Sequence, residues 1–177
     1  LIEKQREFNS FSLAKKSLNQ FHVLLDAGHG EYDSGTFVNG LKESDFTHGF
    51  LPVLAEEFKK IGVNVIPIVT PTHVLMRNSK VKMVSSKKSI ETRRNAINHY
   101  DEYLTSQGVS FDKKFFLSIH ANSSGVKSTG ALMIIPGTKL NEAKNKFKTR
   151  KSSERLAKKI ISSFDEYGWP VDRFNEK

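Results

Sequence analysis

Apolar positions along the chain follow two rhythms. Short runs of branched and aromatic residues occur at His22–Asp26 (HVLLD), Val63–Val69, Phe115–His120 (FFLSIH) and Ala131–Pro136 (ALMIIP), and they predict strands. Between the first two runs, Phe46, Phe50, Val53, Leu54, Phe58 and Ile61 recur at three- and four-residue spacing and Gly62 follows. That pattern predicts a helix with those side chains on its buried face and a glycine stop. Pro52 lies inside it and removes one backbone donor, so a kink, or a first turn that begins differently, is expected there. Ile90, Ile97, Tyr100 and Leu104 predict a second helix with Ser89 as its cap. Leu156, Ile160, Phe164 and Tyr167 predict a last helix ending at Gly168. Thr70 to Lys88, which includes Arg77, is polar, basic and aperiodic, and is expected to be a loop or insertion. Residues 1–20 carry only weak apolar spacing and are expected to form a linker or a peripheral helix.

The order β-α-β-α-β-β-α predicts an α/β fold, a mostly parallel twisted sheet flanked by helices in a hydrolase-like sandwich. Ligands of such sheets gather at the carboxyl ends of the strands. His29 follows the first predicted strand and His120 ends the third, so two imidazoles are expected at matching strand ends.

Composition narrows the chemistry. The 177 residues suit one domain with a real core. The chain has no cysteine, which excludes disulfides, thiolate metal sites and thiol nucleophiles, so any metal must rest on histidines and carboxylates. A net charge of +9 favours polyanionic partners. The basic residues are dispersed, as in Lys59-Lys60, Lys87-Lys88 and Lys158-Lys159, without a basic stripe interleaved with aromatics, so a dedicated nucleic-acid site is not expected. No apolar run is long enough for a transmembrane segment, and no signal-peptide pattern is present.

A catalytic zinc takes about three protein ligands and keeps one position open. His29, in the turn Asp26-Ala27-Gly28-His29-Gly30, Glu43 at the start of the first predicted helix, and His120 form a candidate set drawn from three elements. Spacing alone leaves other choices open: Glu31, Asp33 and Asp45 lie close by, and a carboxylate at a helix start is favoured by the helix dipole without any metal.

The segments LLDAGHGEYDSG, NGLKESD and FFLSIHANSS resemble, in order, three signature blocks of the zinc-dependent N-acetylmuramoyl-L-alanine amidases of the amidase-3 type. SIETRRNAIN, GALMII and SERLAKKI resemble the helix, strand and helix that accompany those blocks, so the similarity runs from about Phe21 to Gly168. The resemblance implies one zinc ion on His29, Glu43 and His120 and a catalytic domain over residues 21–177. It also implies hydrolysis of the amide joining N-acetylmuramic acid to L-alanine in peptidoglycan, outside the cytoplasm or as a phage-borne lytic factor. Anionic wall polymers become the expected polyanions, and the basic 70–88 segment a candidate lining for a glycan groove. Asp26 is a candidate partner orienting His29; Arg93 and Asn122 are candidates for the surroundings of the metal or for substrate contact, and Ser118 for shaping the pocket. His22, His48, His73 and His99 are expected to be structural or exposed. The family's late strand block, which carries a catalytic Glu, has no counterpart before Lys177, where Glu176 sits in an unrelated context. The sheet is therefore expected to lack that strand, and no general base is assigned. A metal-retaining wall-binding module without turnover is the alternative expectation.

Overall fold

Strand β1 (His22–Ala27) is the middle of a three-stranded parallel sheet in the computed structural model, which describes residues 18–121, 134–135 and 147–171. Its neighbours are β4 (Asn64–Pro67) on one side and β7 (Lys114–Ile119) on the other. Val23, Leu24 and Leu25 are all buried, as a strand covered on both faces requires. The register pairs His22 with both Asn64 and Lys114, and Ala27 with Ile119.

Helix α1 (Glu43–Lys60) connects β1 to β4, and α2 (Ser86–Ser106) precedes β7. The first crossover runs from β1 to β4 and the second returns from β4 past β1 to β7, in the opposite direction, so right-handed connections place α1 and α2 on opposite faces. Leu51, Ala96, Tyr100 and Leu104 join the strand residues in one core, with Leu54, Phe58 and Ile97 packed against it. The strand order reverses direction at β1, which opens a crevice at its carboxyl end.

Several elements depart from the sequence expectation. The core-facing side of α1 runs through Glu43, Thr47 and Leu51 to Leu54 and Phe58, whereas Phe46, Phe50 and Val53 are exposed. The helix is rotated by polar anchors: Thr47 donates its hydroxyl to the Gly28 carbonyl (2.8 Å), which turns Glu43 inward. Helix α1 continues through Pro52 as one element. Gly62, at φ 94°, ends it as expected, with the Gly62 and Val63 N–H groups donating to Lys59 and Phe58 carbonyls. The cap of α2 is Ser85, which accepts from the Lys88 N–H, and Ser89 lies buried within the helix. Ile90, expected on its core face, is exposed.

The expected 70–88 loop contains an antiparallel hairpin, β5 (His73–Met76) with β6 (Ser79–Lys82). Val74 and Met83 are buried beneath it, and Arg77 stacks on the Tyr103 ring 3.9 Å from its centroid. Because every residue of β6 is exposed, no apolar alternation marks it in the sequence. A second small hairpin joins β2 (Phe37–Val38) to β3 (Leu41–Lys42) through Asn39 and Gly40, both at positive φ.

The described chain divides into two units, the first reaching Ser123. In the second, helix α3 (Phe147–Glu166) is followed by Gly168 at φ 72°, the expected stop. The expected strand at 131–136 lies outside the described residues except Ile134 and Ile135, as do Asn122 and Glu176. In the 1–20 segment, Leu18 packs against the first unit's core.

Candidate metal centre

At the carboxyl end of β1 the chain must reverse sharply while delivering an imidazole. Gly28 makes this compact: its N–H donates to the Ile119 carbonyl (2.8 Å), and a Cβ there would fall 2.5 Å from the His120 ring. His29 adopts the left-handed backbone conformation, φ 65°, which a β-carbon ordinarily disfavours. The turn aims the His29 ring at Glu43, Nε2 to Oε2 3.3 Å.

Glu43 is the first residue of α1, and its carboxylate is almost wholly enclosed, with 2% of the side chain accessible. Oε2 accepts from the Thr36 N–H (3.0 Å), and Oε1 accepts from the Ala121 N–H (2.9 Å). Burial pushes this carboxyl up. The two backbone donors, with His29 and His120 beside them, more than offset it and hold Glu43 below the ordinary glutamate value. The site is thus ready with an anion.

His120, one residue past β7, brings Nδ1 to 3.1 Å from Glu43 Oε1. Its side chain is 50% accessible, so the cluster is closed beneath and open above. The His29 and His120 rings meet edge to face, with centroids 5.1 Å apart. One donor atom from each of His29, Glu43 and His120 lies within 4.8 Å of the others. A tetrahedral ion with ligands at about 2.1 Å has edges of about 3.4 Å. The His29 contact to Glu43 Oε2 (3.3 Å) and the His120 contact to Glu43 Oε1 (3.1 Å) are each of about that length, so one carboxylate stands within reach of both rings. Two imidazoles and one ionised carboxylate beside an open side are a donor set that could hold a metal ion.

The neighbouring residues divide by role. Asp33, one of the alternative carboxylates, reaches His29 from the far side, Oδ1 to Nδ1 3.1 Å, close enough for attraction though not aligned for a hydrogen bond. Burial raises the Asp33 carboxyl, but His29 and the Gly35 N–H bring it below the ordinary aspartate value. Gly35 (φ 65°) leaves the room this arrangement needs, since a Cβ would lie 2.6 Å from both Glu43 Oε2 and the His29 ring.

Asp26 turns to Arg93 and Ser118 rather than to the His29 ring: Oδ1 accepts from Arg93 (2.6 Å) and Oδ2 from the Ser118 hydroxyl (2.7 Å). Burial raises its carboxyl, and Arg93 and Ser118 offset that only in part. Arg93 is only 8% exposed and points into the protein. His48 sits behind the turn, with Nε2 3.4 Å from the His29 carbonyl. Thr36, Thr47 and Ser89 also shape the site; no sequence pattern singled out Thr36 or Thr47, and Ser89 was expected only as a helix cap, while the Asn39-Gly40 pair was the available signal for the hairpin that carries Thr36 to Glu43.

The chain matches, over residues 23–173, the family described as N-acetylmuramoyl-L-alanine amidase. A relative from Buchnera aphidicola subsp. Acyrthosiphon pisum (strain APS), named for the same amidase activity, is 27% identical over 145 residues. The alignment covers 80% of this chain and 52% of that relative, so the chain spans about half its length. No solved structure matches the chain.

Proposed function

The chain belongs to the N-acetylmuramoyl-L-alanine amidase family, and from that premise we propose that it hydrolyses the amide between N-acetylmuramic acid and L-alanine in peptidoglycan. One zinc ion on His29, Glu43 and His120 would serve that reaction. The observation that carries the reading is the convergence of those three donors around an open side at the carboxyl end of β1.

Zinc bound there would lower the pKa of a coordinated water and polarise the scissile carbonyl. The protein supplies the geometry. Thr36 and Ala121 keep Glu43 ionised and fixed in orientation, so the carboxylate need not lose a proton when it takes up a cation. Gly28 and Gly35 keep side-chain bulk away from both imidazoles. The exposed side of His120 is where substrate would approach.

Residues 21–177 would form the catalytic domain. The net charge of +9 would draw the chain toward anionic wall polymers, with action outside the cytoplasm or from a phage. Among the described residues, no helix is long and apolar enough to cross a membrane.

The test is digestion of purified peptidoglycan with release of stem peptides bearing new L-alanine amino termini. Release that is lost with a chelator and restored by zinc is expected. Stoichiometric zinc with no release would leave a wall-binding module instead. DNA affinity retained in His29→Ala and His120→Ala, with no zinc in the wild-type chain, would point to a nucleic-acid-binding protein.

A further inference from the structure

We propose that Arg93 is a positioning residue that sets the backbone of the metal-ligand turn and thereby aims His29. The inference rests on the zinc reading above. Three consecutive carbonyls of the turn are held by side chains. Arg93 Nη1 donates to the Ala27 carbonyl (2.6 Å), the Thr47 hydroxyl to the Gly28 carbonyl (2.8 Å), and Arg93 Nη2 to the His29 carbonyl. The same guanidinium donates to Asp26 Oδ1 (2.6 Å) and through Nε to the Ser89 hydroxyl (3.1 Å). Asp26 in turn accepts from Ser118, two residues before His120. One buried side chain from α2 therefore ties the end of β1 to β7, the two strands that deliver the imidazoles.

The need for this clamp lies in the backbone. His29 is a non-glycine residue in the left-handed region, a conformation its own β-carbon opposes. It persists because the carbonyls on either side of its peptide units are fixed from outside. A guanidinium can span two carbonyls, a carboxylate and a hydroxyl at once because its donors form a rigid planar fork. The ammonium of lysine keeps the charge but concentrates its donors at one point. Lysine could keep the pair with Asp26 while releasing the turn. Arg93 is buried and its donors are committed, so substrate contact is not its role here.

The test compares zinc affinity, by competition with a chromophoric chelator, and the Co(II) absorption spectrum in the wild-type chain, Arg93→Lys and Leu104→Val. Leu104→Val loosens the buried core position on α2 and controls for a general loss of stability. Arg93→Lys is expected to keep wild-type helical circular dichroism, to bind zinc about 10–100-fold more weakly and to show an altered Co(II) spectrum. Leu104→Val is expected to lower the melting temperature and leave zinc affinity intact.

If Arg93→Lys fails to fold, the double variant Asp26→Asn/Arg93→Met removes the charge together with its partner, and the same weakening is expected there. Zinc affinity within about threefold of wild type in the folded variant would overturn the proposal, since positioning partners act on a larger scale. So would an equal loss in Leu104→Val. A wild-type chain that binds no zinc would instead sink the zinc reading itself.

Discussion

Alanine at position 28 should separate the metal centre from the fold. Gly28 is not among the glycines at positive φ, so alanine can adopt its backbone and the clash is the whole perturbation. The added Cβ would sit 2.5 Å from His120 Cε1, 2.6 Å from Nδ1 and 2.8 Å from Nε2. Carbon contacts settle near 3.5–4.0 Å, so the ring must move by about 1 Å. Half of the His120 side chain is accessible, so the ring has solvent to move into. The stability loss should therefore fall near the low end of overpacking, about 1 kcal/mol.

The consequence for metal binding is larger. Metal–ligand distances tolerate deviations of about 0.2 Å, so a ring displaced by about 1 Å no longer serves as a ligand. Partners outside the ligand set already account for 10–100-fold in affinity, and losing a ligand should weaken zinc binding by at least about 100-fold. Urea unfolding of the metal-free protein and zinc competition titration read the two quantities separately. Unchanged zinc affinity would refute the reasoning, as would a stability loss above about 3 kcal/mol, which would mean that the ring cannot yield.

Gly35→Ala should fail in both respects. Its φ of 65° opposes a side chain, and the new Cβ meets Glu43 and His29 at 2.6 Å, where neither can retreat into solvent as His120 can; unchanged stability in urea would count against this. Asp26→Ala leaves the Arg93 guanidinium buried without its counter-ion and should cost about 3–5 kcal/mol; a loss below about 1 kcal/mol in urea unfolding would show that the pair is not critical. Leu25→Ala, at the fully buried centre of β1, should cost about 2–5 kcal/mol by the same measurement, and a negligible change would contradict the central place of that strand.

His48 links stability to pH. Burial, together with the Arg93 charge, lowers its pKa below the ordinary 6.5, although the His29 carbonyl opposes this. The folded state thus favours the neutral ring. That contribution is present above 6.5 and is lost as pH falls through the lowered folded value. The melting temperature of metal-free protein should drop across that window, and less so in His48→Gln; identical slopes would rule His48 out as the source.

The parallel strands were legible because buried strands are written as short apolar runs, and β1, β4 and β7 lie within or near theirs. The three donor residues were legible as ordered motif blocks. The face of α1 was not, because apolar periodicity cannot tell Phe46 and Phe50 on the outside from Leu51 and Phe58 on the inside. What decides it is a hydroxyl bond from Thr47 and a buried Glu43, both polar. The 73–82 hairpin escaped for the opposite reason: its second strand buries nothing. The inward turn of Arg93 depends on partners 64 to 67 residues away, which no local pattern encodes.

The central claim is that His29, Glu43 and His120 together hold one zinc ion. Elemental analysis of the purified chain, after dialysis against trace zinc, tests it most directly. About one zinc per wild-type chain is expected for a single three-ligand site, with almost none in the double variant His29→Ala/His120→Ala that still folds. A wild-type chain without zinc, or a folded double variant that retains it, would contradict the claim.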